Sequence, residues 1–164
     1  MNSKVIVNFL TVYLLGIFSI FACETHQSNL GNKAEYHRAS KELIRAINQS
    51  NNSENIIKKA IEVTNLASPI LKDLVKKNKK CGEIVDFIEK KKDSLFTLTP
   101  SELEEQYHEG SALPKFPEEC HDLKELIVHP ATVVSLAKFS PDLKKVKERM
   151  KDEIEEVLMH FEAL

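Results

Sequence analysis

Apolar residues recur at three- and four-residue steps through most of this chain, and that period restricts its possible folds more than any other feature. Tyr36, Ala39, Leu43, Ile44 and Ile47 make one stripe, with Lys41, Glu42 and Arg45 between them. Ile56, Ile57, Ala60, Ile61, Val63, Leu66 and Ala67 make a second, which Ile70, Leu71, Leu74 and Val75 continue. Cys81, Ile84, Val85, Phe87 and Ile88 mark a third that runs out near Asp93. The last is long and joins Leu143, Val146, Met150, Ile154, Val157, Leu158 and Phe161. Period-two alternation is almost absent, which leaves little room for a sheet. The pattern predicts an all-α fold: an antiparallel bundle of about four main helices, with short helices filling Lys91 to Phe139.

The punctuation between stripes is written in caps and prolines. Asn48 to Asn52 breaks the first helix, and Ser53 is placed to cap the second. Ser68-Pro69 is expected to restart or kink that second helix, because proline suits a first helical position and disrupts an interior one. Thr99-Pro100-Ser101-Glu102 has the form of a capping box with proline at the first helical place, and predicts a short helix through Tyr107. Leu123, Leu126 and Ile127 outline another short helix, and His129-Pro130 and Ser140-Pro141 each open one more. Ser68 to Lys72 resembles Ser140 to Lys144, but the shared part is the helix-start signal itself and implies no repeat. The irregular stretch Gly110 to Pro117 carries Leu113 and Phe116, which are expected to staple the loop to the core.

The first residues read as an address. Lys4 supplies a positive start, and Val5 to Phe21 follow as an apolar run of the length and flanks of a secretory signal. The run ends Ile20-Phe21-Ala22-Cys23, which resembles the lipobox of bacterial lipoproteins, with Phe21 where a smaller residue is usual. That resemblance covers the leader alone. It implies lipidation of Cys23 and a mature chain that starts there, and Glu24 beside it is compatible with sorting to an outer membrane in a host that has one. The expected organisation is a signal peptide at 1–22, a lipid-anchored polar tether at 23–33 and a helical domain at 34–164. The expected location is the cell envelope, or otherwise the periplasm or medium. Asn48-Gln49-Ser50 and Asn51-Asn52-Ser53 have the form of glycosylation acceptors, a short pattern that Asn-rich chains contain by chance.

Cysteine parity agrees with export. Three cysteines are present, and setting Cys23 aside leaves Cys81 and Cys120, an even pair in an oxidising compartment. A Cys81 to Cys120 disulfide is expected, closing a loop worth roughly 4 kcal/mol in chain entropy. Neither cysteine has a neighbour at zinc-ribbon or thioredoxin spacing.

Composition enters mainly by exclusion. A net charge of −2 over 164 residues with 42% apolar content gives no basic footprint for nucleic acid. Lys72 to Lys92 holds eight lysines against four acids, while Ser101 to Glu125 holds eight acids against two lysines. The expected disulfide would bring these stretches together, so they are read as offsetting faces rather than docking surfaces. No Gly-x-Ser-x-Gly, Walker, Rossmann or His-Glu-x-x-His pattern occurs, so no catalytic activity and no cofactor are expected.

The histidines are the remaining chemistry. No His-x-x-x-His pair exists, so no metal site is expected, and His108, His121 and His129 are the weak candidates if distant ligands converge. Met150, Met159 and His160 are the residue types that hold haem in a bundle, although Met150 falls on a core stripe. The resulting expectation is a lipid-anchored, non-catalytic binding or envelope-structural module whose partners are the membrane and a protein. The alternative is a periplasmic or secreted carrier of a metal, haem or small apolar ligand, which predicts a cavity between helices or converging His108, His121 and His129.

Overall fold

Every regular element among the described residues, 30–164 of this computed structural model, is helical. The leader and Cys23 lie outside the described residues. Helix α1 covers residues 30–49, so residues 30–33, expected in the tether, are helical. It is followed by α2 (Ser53–Lys77), a 3₁₀ turn (Lys79–Cys81), α3 (Gly82–Leu95) and α4 (Pro100–Leu103). A π turn (Glu104–His108), a second 3₁₀ turn (Glu118–Cys120), α5 (His121–Phe139) and α6 (Leu143–Glu162) complete the order. The expected all-α bundle is what forms, and the Cys81–Cys120 disulfide is present with Cα atoms 5.4 Å apart.

Helix α5 is the axis of the bundle. It packs most extensively against α2 on one side and α6 on another, with α3 also touching it. All residues from Leu123 to Ala137 are buried, as a helix surrounded on every side must be. Tyr36 of α1 packs on Phe161 of α6, with ring centroids 5.2 Å apart, and closes the bundle over α5.

Two prolines lie inside helices rather than at their starts. Pro69 neither restarts nor ends its helix: α2 runs unbroken from Ser53 to Lys77. Pro130 does not open a helix either, because α5 passes through it. An interior proline removes the N–H that would bond the carbonyl four residues earlier, here Leu126. The Tyr36 hydroxyl donates to that carbonyl at 3.0 Å, so the lost backbone donor is replaced from another helix. The stripes of the two expected short helices therefore belong to one long helix.

The caps also shift. Asn52, not Ser53, caps α2, its side chain accepting from the Glu54 and Asn55 amides. Ser140-Pro141 stands outside α6, which opens at Leu143 with Asp142 as its cap. The Thr99–Glu102 capping box forms as read, with Thr99 receiving the Glu102 amide and Glu102 receiving the Thr99 amide. Leu113 and Phe116 are partly buried against the core, which fits the staple reading. Lys80 and Glu119 meet at 3.8 Å beside the disulfide, joining the basic and acidic stretches at an exposed pair.

No helix among the described residues is long and apolar enough to cross a membrane.

Candidate metal centre

Placing α5 in the middle of the bundle buries polar side chains that must then be satisfied from within. Thr132 donates to the Val128 carbonyl at 3.0 Å and Ser135 to the Leu98 carbonyl at 2.7 Å. Lys124, only 1% exposed, pairs with Glu125 Oε1. Glu125 Oε2 is the exception: it is buried and no donor among the described residues bonds it.

The surroundings of that oxygen are two imidazoles. His108 Nδ1 lies 3.5 Å from it and His129 Nε2 lies 3.7 Å from it. One ligand atom from each of His108, Glu125 and His129 falls within 4.8 Å of the others. The opposite nitrogen of each ring is already engaged. His129 Nδ1 sits 2.9 Å from Glu153 Oε2 and donates to it, since a carboxylate only accepts. His108 Nε2 sits 3.2 Å from Thr132 Oγ1, whose own proton is committed to Val128, so His108 Nε2 is the donor there. In the neutral rings these bonds fix both tautomers and turn His108 Nδ1 and His129 Nε2, as lone pairs, toward the Glu125 carboxylate oxygen. Burial, foremost, holds His108 below the usual imidazole range against the pull of Glu125.

Each side chain arrives by a different route. His121, Glu125 and His129 follow one another at four-residue steps on α5 and share its α6-facing side. Glu153, Glu156 and His160 come from α6; Glu156 Oε2 lies 3.8 Å from His129 Nε2. His108 closes the π turn, whose Glu109 amide bonds the Glu104 carbonyl, and π turns are frequent at functional sites. The turn ends at Gly110, whose φ of 86° a residue with a Cβ rarely adopts. A cleft of about 320 Å3, lined by Glu104, Arg149, Asp152, Glu153 and Glu156 as well as His108 and His129, opens on the group from solvent.

A second group adjoins the first. His160 Nδ1 lies 2.7 Å from Asp122 Oδ1, and His121 Nδ1 lies 4.0 Å from the same oxygen. The His129 and His160 rings stack with centroids 5.4 Å apart. Burial chiefly, and then Lys124, hold His121 below the ordinary imidazole range.

Of the candidates named from sequence, His108 and His129 come together with ring centroids 4.8 Å apart, and His121 belongs to the adjoining group. The haem set does not assemble: Met150 is fully buried in the core, Met159 is 63% exposed and His160 pairs with Asp122. Sequence reading missed Glu125, Glu153, Glu156 and Asp122. The available signal was His121-x-x-x-Glu125-x-x-x-His129, a donor ladder hidden by placing a helix start at Pro130.

No family model, curated protein or solved structure matches this chain. The chemistry of the site therefore carries the functional reading alone.

Proposed function

We propose that this bundle binds a divalent first-row transition metal ion through His108 Nδ1, His129 Nε2 and Glu125 Oε2. The observation that carries the reading is the convergence of His108 Nδ1 and His129 Nε2 on a buried carboxylate oxygen that no donor among the described residues satisfies. Three acceptors facing one another repel unless a cation stands between them. Metal–ligand bonds of ~2.0–2.1 Å imply ~3.4 Å between tetrahedral ligands, and the spacings of 3.5 and 3.7 Å are close to that. Nitrogen and oxygen donors suit zinc and its neighbours, and the two body cysteines are tied in the disulfide. Glu153 on His129 is the outer carboxylate that orients a metal-bound imidazole. Glu156, about half exposed at the cleft, is positioned to supply a fourth ligand.

The charged cleft walls favour an ion over haem or a small apolar ligand. The leader and cysteine parity support an exported and lipid-tethered carrier, and the absence of a catalytic motif supports binding rather than turnover. Titration of the oxidised full-length chain with Zn2+ tests the buried site. Saturable binding at micromolar or lower Kd, reduced at least a hundredfold in Glu125→Gln and in His129→Ala with helicity retained, is the expected result. A wild-type chain that takes up no Zn2+ in this range overturns it.

A further inference from the structure

We infer that the molecule holds a second divalent ion, bound by His121, Asp122 and His160 beside the buried one, so that its capacity is two. This inference rests on the metal-binding reading above and extends it to a different set of side chains. One ligand atom from each of the three residues falls within 4.8 Å of the others, and they come from the start of α5 and the end of α6. His160 Nδ1 donates to Asp122 Oδ1 at 2.7 Å, and an ion takes that proton's place as the proton shifts to Nε2 of the neutral ring or leaves an imidazolium for buffer. His121 Nε2 lies 3.3 Å from Glu125 Oε1, so its Nδ1 is the nitrogen on the Asp122 side.

Glu125 separates the two ions instead of bridging them. Its Oε2 faces His108 and His129, while its Oε1 is held by the buried Lys124 ammonium. A cation already on Oε1 keeps that oxygen out of the second coordination sphere. The two sets also differ in access: Glu125 and His129 side chains are 3% and 4% exposed, whereas those of His121 and Asp122 are 48% and 37% exposed. Ligands in water lose less on releasing an ion, so the outer site is the weaker and the faster to exchange. Stacking of His129 on His160 places the sites as neighbours across one ring pair, an arrangement suited to passing an ion from surface to interior.

The test is Zn2+ stoichiometry by equilibrium dialysis with metal analysis on the oxidised full-length chain, together with a calorimetric titration. Two equivalents are expected, with Kd values at least tenfold apart. His160→Ala and, separately, Asp122→Asn should leave the tight equivalent and remove the weak one. Glu125→Gln should do the reverse. One wild-type equivalent that disappears in Glu125→Gln and survives His160→Ala overturns the second ion and leaves the buried site standing. One equivalent that survives Glu125→Gln and disappears in His160→Ala overturns the buried assignment and the capacity of two, and none overturns both sites. Asp122→Asn, being a partly exposed isostere, keeps the test decisive if His160→Ala loses helicity.

Discussion

Among the described residues, two interhelical polar groups each contain a buried carboxylate oxygen without a hydrogen-bond partner, Glu89 Oε1 between α2 and α3 and Glu125 Oε2 between α5 and α6. The first group carries its own cation. Ser68 donates to Glu89 at 3.0 Å, and Lys92 donates to Ser68 at 2.9 Å while standing 3.8 Å from Glu89. Its Lys92 and Glu89 side chains are 17% and 20% exposed, so water reaches them. The second group gathers Asp122, Glu125, Glu153 and Glu156 around four imidazoles; its cations among the described residues are Lys124, spent on the other oxygen of Glu125, and Arg149, 3.6 Å from Glu153 Oε1 and not against Glu125 Oε2. One group balances its single carboxylate with a lysine. The other presents an excess of acceptors, and that difference separates an ordinary structural network from a site for an external cation.

The largest effect should come from breaking the link between the halves. The disulfide ties the basic turn before α3 to the acidic turn before α5, and replacing Cys81 and Cys120 by serine should cost about 4 kcal/mol, given the loop it closes. Urea unfolding with and without reductant measures it. Because Cys120 directly precedes His121, weaker Zn2+ binding at the outer site should accompany the loss, with the buried site less affected. Equal stability of the oxidised and reduced chains would show that α5 is positioned by packing alone.

The comparison itself is sharpened by removing one lysine from each group. Lys124→Met leaves Glu125 buried without its ammonium and should destabilise the metal-free protein by about 3 kcal/mol, the cost of an uncompensated buried charge. Zn2+ should restore part of that loss. Lys92→Met acts where water can substitute and should cost under about 1 kcal/mol, with no recovery on adding Zn2+. Paired denaturation curves with and without Zn2+ decide this. Equal losses from both lysines, or equal rescue, would erase the distinction between the groups.

Sequence reading reached the fold more easily than the site, for reasons visible in α5. Helical periodicity, the Thr99–Glu102 box and cysteine parity are local or countable, and each led to its structural counterpart. Pro130 is local too, but its meaning depends on Tyr36, which lies 90 positions before Leu126 in sequence and repairs the backbone there. Without that contact the helix is cut between Ile127 and His129, and the ladder of His121, Glu125 and His129 disappears with it. His108 lies in a turn of its own and meets the ladder only through tertiary packing. Burial of Lys124 and Glu125 was equally hidden, since charged neighbours on a helix ordinarily face water.

Tyr36→Phe measures this repair. It keeps the packing on Phe161 and removes the one side-chain donor to the Leu126 carbonyl, so it should cost about 1 kcal/mol. If the hydroxyl also holds the line of α5, the Kd for the buried ion should rise severalfold, because His129 stands one residue before Pro130. A variant as stable as wild type would mean that Leu126 needs no replacement donor.

The smallest effect concerns how His108 is delivered. The capping box at Thr99 starts the segment that ends at His108, and Glu102 accepts from the Thr99 amide at 2.8 Å and from its hydroxyl at 2.7 Å. The amide bond first, and then the hydroxyl, hold the Glu102 carboxyl below the ordinary glutamate range. A carboxylate with a lowered folded pKa stabilises the protein above its unfolded value, and this contribution fades as pH falls through the folded value. Wild type should therefore melt slightly above Glu102→Gln at neutral pH, and the gap should close on acidification below about pH 4, where the unfolded chain is protonated first. Melting curves from pH 7 to pH 3 on both proteins follow that gap. A gap independent of pH would assign the cap to backbone geometry and Pro100 alone, and His108 would then owe its place to the π turn rather than to the charge that opens its segment.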